Sequence, residues 1–195
     1  TVPTGEVNLC LNGQTISGSI TVGSGATLTL TDCSGNGKVQ GEVTVNGGKF
    51  ELYSGTITGN TATAGNGGGI YIHFNAGNVS ISNATITGNK ASATGNTSYG
   101  HGGGIYSQRG VTVKNVTITG NNSTYEGGGI YGKGAITLTD ATVTDNSQYD
   151  VYYDGKETTT PELTVSGSVK AGYYANFDWK LPILVSGELS ENSVI

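Results

Sequence analysis

Charge is scarce in this chain. Only 12% of its 195 residues are Asp, Glu, Lys or Arg, and nine basic residues leave a formal net charge of −5. Without a basic stripe to neutralise phosphates, a nucleic-acid partner is not expected. No apolar run approaches the roughly 18 residues that a bilayer-spanning helix needs, so no membrane-spanning segment is expected either. Methionine is absent and proline occurs three times. A charged segment leading into an apolar one, the mark of a signal peptide, is also missing. The chain is therefore read as a mature or excised piece of something longer. Glycine, at 34 residues, is plentiful. It does not recur every third position, which excludes collagen.

Helical periodicity is missing as well. No stretch places apolar residues three and four apart among good helix formers. Val, Ile and Leu instead alternate with Ser, Thr and Lys, the period of strands with one buried face. Three segments align: Gly67 to Asn89, Gly102 to Asn121 and Gly127 to Asn146, with a half-match from Lys49 to Asn60. Stacked, they give apolar or small columns. These read Phe50/Val79/Val111/Ile136, Leu52/Ile81/Val113/Leu138, Gly55/Ala84/Val116/Ala141, Ile57/Ile86/Ile118/Val143 and Ile70/Ile105/Ile130. Like residues need to recur in this way when each rung stacks on the next about 4.8 Å away. The expected fold is an all-β, right-handed parallel β-helix of about 7–8 rungs of about 20 residues each. It is expected to form one domain over residues 1–195. Residues 1–48 make N-terminal rungs, 49–146 regular repeats, and 147–195 irregular rungs with an aromatic cap from Tyr173, Tyr174, Phe177 and Trp179.

Asparagine closes each repeat, at Asn60, Asn89, Asn121 and Asn146. Such amides can bond to one another along the stack and satisfy backbone groups at a corner, so they are expected to form a structural ladder. Cys10 and Cys33 lie about one rung apart. The alternation of Val7, Leu9 and Leu11 turns Cys10 outward, while Cys33 aligns with inward positions. Two small packed thiols are therefore expected rather than a bridge.

The Gly-Gly-Gly-Ile element followed by Ile86-Thr87-Gly88-Asn89 or Ile118-Thr119-Gly120-Asn121 resembles the repeat of bacterial polymorphic outer membrane proteins. In that family the elements are GGA-I and Phe-x-x-Asn. Here Gly69, Gly104 and Gly129 replace the Ala, and Ile the Phe. The stretch Leu11 to Ile16, followed by Ala26 to Leu30, is similar to the start of β-helical surface proteins of gut bacteria. The resemblance covers about residues 7 to 146. It implies a pectin-lyase-like β-helix that is secreted or on a bacterial cell surface, often in adhesion.

Catalytic chemistry finds little support in the sequence. Glycoside hydrolysis needs two carboxylates, yet no column of the clear repeats holds two acids. His101-Gly102 has no acid aligned nearby. His73 and His101 fall in loops without metal-ligand spacing, so neither a metal site nor a cofactor is expected. The acids Asp140, Asp145, Asp150, Asp154, Glu157 and Glu162 cluster late, but without a calcium-loop pattern they read as a solvated loop. Two outward ladders remain. Tyr71, Tyr106 and Tyr131 follow the inward isoleucines, and their rings suit sugar faces. Thr56/Thr58, Thr85/Thr87, Thr117/Thr119 and Thr142/Thr144 form paired columns, a pattern also found on ice-binding solenoids. The insertion Lys90 to His101 is expected to project from one side. The expected function is non-catalytic display or adhesion, with host or environmental glycans or proteins as partners. The candidate ligand residues are Tyr71, Tyr106, Tyr131, His101 and Arg109. The rival readings are a carbohydrate-active enzyme and an ice-binding solenoid.

Overall fold

In a computed structural model that describes residues 1–95, 97–155, 163–175, 183–191 and 193–195, every strand within a sheet runs parallel to its neighbours. The chain circuits three long sheets in turn. The first holds Gly5–Cys10, Ala26–Thr31, Lys49–Leu52, Val79–Ser82, Val111–Lys114, Ile136–Thr139, Leu163–Gly167 and Ile183–Leu189. The second begins at Thr15–Ile16 and includes Gly55–Thr58, Ala84–Thr87, Thr117–Thr119 and Thr142–Thr144. The third includes Val43–Asn46, Ile70–Ile72, Ile105–Ser107, Ile130–Gly132, Val151–Tyr153 and Tyr173–Ala175. The result is a β-solenoid, and no helix occurs among the described residues.

The pairing register is the one the columns require. Ile86 sits between Ile57 and Ile118, Ile81 between Leu52 and Val113, and Ile105 between Ile70 and Ile130. All of these are fully buried, in one apolar core that runs the length of the stack. Strand residues alternate sides, so the threonines of the second sheet face out while the isoleucines between them fill the interior. The threonine array spans four rungs and meets Lys38 at one end and Lys170 at the other.

Rung length departs from the expected 20 residues. Successive ladder asparagines are 29, 32 and 25 residues apart. The aligned landmarks enclosed only part of each circuit, because the segment after each asparagine adds a further side. There Thr61–Thr63, Lys90–Ser92 and Asn122–Ser123 pair as a short fourth sheet. Lys90–Ser92 therefore does not project but pairs within the wall.

The asparagine side chains run continuously along one corner. Asn121 Nδ2 donates to the Ile86 carbonyl (2.9 Å) and to Asn146 Oδ1 (3.0 Å). Its Oδ1 accepts from the Asn89 backbone N–H (3.0 Å) and from Asn89 Nδ2 (2.9 Å). Asp150 ends the row, its Oδ1 accepting from both Asn146 N and Nδ2 at 3.0 Å. The residue before each asparagine is left-handed: φ is +70° at Gly59, +65° at Gly88, +64° at Gly120 and +59° at Asp145. The late acids are thus partly built into the frame, since Asp140 Oδ1 also accepts from Ser168 N–H at 3.0 Å. Asp145 is outward, and Glu157 and Glu162 lie outside the described residues.

The cysteine expectation is overturned, because Cys10 and Cys33 are disulfide-bonded with their Cα atoms 6.3 Å apart. The buried positions of the second strand are Ala26, Leu28 and Leu30, followed by Asp32. Cys33 therefore continues the outward phase of Thr27, Thr29 and Thr31, on the same exposed side as Cys10. Asp32 takes the inward place instead. Its carboxylate accepts from the Gly13 (2.8 Å) and Gly37 (2.7 Å) N–H groups, which hold its pKa below the usual carboxylate value. Of the expected cap, Tyr173 is half-buried against the core while Tyr174 is exposed and belongs to the outer aromatic column. Phe177 and Trp179 lie outside the described residues.

Candidate functional site

The third sheet carries a tyrosine at the same outward position on five rungs: Tyr71, Tyr106, Tyr131, Tyr152 and Tyr174. Parallel in-register pairing sets these rings one rung apart, and they stack. Centroid separations are 5.2, 5.2, 5.4 and 5.3 Å, with interplanar angles of 12°, 8°, 9° and 20°. Tyr149 adds a further stacked ring against Tyr174 at 4.6 Å. Although they point away from the cylinder, Tyr106, Tyr131 and Tyr152 are only 4–6% exposed. Each ring face is covered by the next ring, so a sugar cannot stack on them. The hydroxyl edge is what a ligand meets.

That edge floors a cleft of about 290 Å³ lined by Thr97, Ser98, His101, Tyr106, Glu126, Tyr131, Lys133, Tyr152 and Asp154. One flank belongs to His101, whose ring packs on Tyr131 (4.6 Å) and Tyr125 (5.5 Å). Its Nε2 donates to the Thr97 carbonyl at 2.8 Å, and its Nδ1 lies 2.9 Å from Glu126 Oε2. That second contact is not aligned as a ring hydrogen bond, and it is an ion pair only with the ring protonated. On the opposite flank, Asp154 accepts a hydrogen bond from the Tyr131 hydroxyl and lies 3.7 Å from Lys133 Nζ.

The phenols are hard to ionise here. Burial pushes Tyr106 up to about 12. Burial is also the leading cause for Tyr131, helped by its bond to Asp154, and for Tyr152, helped by the charges of Glu126 and Asp154. Folded values above the unfolded one mean a contribution that is complete below about pH 10 and lost as pH rises through the folded values. An alkaline titration should therefore show two steps. Exposed phenols ionise with the circular dichroism intact, and the column ionises only as the β-sheet signal disappears. A single phenolate transition ahead of any loss of structure would contradict the burial of the column.

Tyr71, Tyr106 and Tyr131 thus share one column and His101 packs beside it on Tyr131, while Tyr71 lies outside the cleft with its hydroxyl bonded to Gln108 Oε1 at 3.2 Å. Arg109 is elsewhere. It is exposed and borders a separate groove of about 420 Å³ with Glu51, Asn78 and Thr112. Sequence reasoning missed Glu126, Lys133 and Tyr152, and it read Asp154 as part of a solvated loop of acids rather than as lining a cleft. The view that no acid aligns near His101 is corrected by the 2.9 Å contact with Glu126. The signal was present: Asn66, His101 and Glu126 each immediately precede a triple glycine, so they form a column of their own. Asp154 carried no such signal, because its rung has no triple glycine to align on.

Residues 54–73 and 115–133 match the family model of the Chlamydia polymorphic membrane protein repeat. Both stretches run from the second sheet, through a ladder asparagine, to an isoleucine–tyrosine strand of the third. The match points to a bacterial surface-associated protein with a β-helical fold. Comparison with curated proteins and with solved structures gave no match. Among the described residues, no helix is long and apolar enough to cross a membrane.

Proposed function

We propose that this chain is a non-catalytic bacterial surface module that displays the tyrosine-floored cleft and binds a glycan there, hydroxyl to hydroxyl, as an adhesin does. The observation that carries the reading is the row of Tyr106, Tyr131 and Tyr152 hydroxyl edges between two charged flanks in one cleft. Phenol, carboxylate, ammonium and backbone groups side by side suit a polyhydroxylated ligand, which needs many donors and acceptors at fixed spacing. The surface repeat supports presentation outside the cell.

Glu126 and Asp154 line the same cleft, which favours a carbohydrate-active enzyme as a second reading. Binding is preferred because both carboxylates are already engaged, Glu126 by His101 and Asp154 by Tyr131 and Lys133. A hydrolase keeps one of its pair free to protonate the leaving oxygen. The threonine face is read as ordinary polar strand surface.

The test is a panel of defined oligosaccharides, read by calorimetry for binding and by chromatography for products. Saturable binding without cleavage is expected. Tyr152→Phe, which keeps the stack but removes one hydroxyl, should weaken it about tenfold, the worth of one good hydrogen bond. Product release would establish the enzyme instead. Binding untouched by Tyr152→Phe and Glu126→Gln would remove the cleft from the account.

A further inference from the structure

The groove beside Arg109 lies on the outer face of the first sheet, away from the tyrosine column. Its floor is one outward column of that sheet. Register sets Glu51 beside Ser80, Ser80 beside Thr112 and Thr112 beside Thr137. A carboxylate or hydroxyl is thus presented once per rung, about 4.8 Å apart. The rim is the turn that carries Arg109 from the third sheet into the first. Gly110 and Ala135, just before Val111 and Ile136, carry nothing beyond a Cβ, which leaves a hollow between rim and floor.

The backbone under Arg109 is held from both sides. Gln108 N–H donates to the Ile72 carbonyl (2.9 Å) of the preceding rung, and Lys133 N–H of the next rung donates to the Ser107 carbonyl (2.7 Å). Within the turn, Ser107 Oγ donates to the Arg109 carbonyl at 2.5 Å. Gly134 lies so close that a Cβ there would fall 2.5 Å from the Arg109 carbonyl carbon. The side chain, by contrast, is exposed, and among the described residues no carboxylate forms an ion pair with it. Glu51, the acid of the groove, sits two rungs back along the column and accepts from the Tyr53 hydroxyl at 3.1 Å.

A guanidinium presents a planar fork of donors that takes a carboxylate through two parallel bonds. Each floor hydroxyl both donates and accepts, which suits the ring hydroxyls of a sugar. An extended peptide finds less here. The floor strands are already paired on both sides, so no free sheet edge remains for its backbone. We propose that this groove is a second binding site, for a linear acidic glycan: Arg109 grips a uronate carboxylate while Thr112, Ser80 and Glu51 engage hydroxyls of successive sugar units along the cylinder axis. The site stands apart from the tyrosine-floored cleft and does not depend on it.

Calorimetry on the intact chain tests it, using a linear uronic acid tetramer and the same tetramer with its carboxyls reduced to alcohols. The acidic tetramer should bind about tenfold more tightly, because hydrogen bonds to charged groups exceed neutral ones by about that factor. Its affinity should fall as salt rises. Arg109→Gln should remove the preference, and Arg109→Lys, which keeps the charge without the fork, should restore only part of it. Ala135→Gln, at an exposed position, should fill the hollow and weaken the acidic tetramer with the circular dichroism unchanged. Tyr152→Phe should leave the acidic tetramer untouched, which separates this groove from the cleft. Absence of binding, equal affinity for the two tetramers, a preference that survives Arg109→Gln, or one lost in Tyr152→Phe would overturn the proposal. So would equally tight binding of a tetraglutamate peptide, since the hydroxyl row would then contribute nothing.

Discussion

Replacing Asn121 by alanine is expected to lower the unfolding free energy by about 4 kcal/mol, one of the largest effects available to a single side chain here. Asn121 is 1% exposed and sits in the middle of the ladder, with neighbours on both sides. The substitution leaves the Asn89 N–H without its side-chain acceptor and removes the amide's bonds to the Ile86 carbonyl and to Asn146 Oδ1. A buried backbone group left unpaired costs about 1–3 kcal/mol, more than the bond contributes when made. Because Asn89 and Ile86 lie on the rung before Asn121 and Asn146 lies on the rung after it, the damage extends beyond the mutated turn. Asn60 has weaker ties, its Nδ2 reaching the Val39 carbonyl at 3.5 Å. Asn60→Ala should therefore cost clearly less. Denaturant midpoints of the two variants decide the point, and equal losses would mean that the ladder does not act as a continuous row.

Gly103→Ala is expected to prevent folding to the native stack. A Cβ on Gly103 would lie 2.4 Å from the Asn122 carbonyl oxygen and 2.6 Å from that of Gly128. Both obstacles are backbone of the neighbouring turn, so neither can swing aside as a side-chain tip would. Relief requires the rungs to separate, which breaks the parallel pairing on which every other contact depends. The equivalent positions show the same crowding: Gly68 faces Gly103 O at 2.5 Å and Gly128 faces Ser147 O at 1.9 Å. Gly18→Ala is the control, since a Cβ there meets nothing within 4 Å. Soluble yield and circular dichroism should separate the two variants cleanly. A well-folded Gly103→Ala protein would show that the rungs do not approach this closely.

These two positions also explain what the sequence made legible. Triple glycines and closing asparagines recur because one close approach and one corner recur, so aligning them recovers the registers of Ile57, Ile86 and Ile118 and of Ile70, Ile105 and Ile130. Rung length was misjudged because Thr61–Thr63, Lys90–Ser92 and Asn122–Ser123 lie between the aligned segments, where the sequences share little. The cysteines were misjudged because Asp32, a polar residue, holds an inward place in that alternation, which hid the phase of Cys33.

The site was legible only in part, for a related reason. A column advertises itself when the same residue type repeats, as tyrosine does at positions 71, 106 and 131. The cleft is built from dissimilar groups, His101 over Glu126 and Lys133 beside Asp154, whose relation is spatial. Nor does alternation reveal that outward tyrosines are buried. Their cover comes from stacking across rungs, a property of the assembled column.

The most direct measurement is a set of methyl–methyl nuclear Overhauser contacts in isoleucine-labelled protein. Side chains stacked on adjacent parallel turns should connect Ile57 to Ile86 and Ile86 to Ile118, and separately Ile70 to Ile105 and Ile105 to Ile130. Strands paired instead with their neighbours in sequence would give cross-peaks within one repeat, leave Ile86 unconnected to Ile118, and dismantle both the stack and the tyrosine-floored cleft it supports.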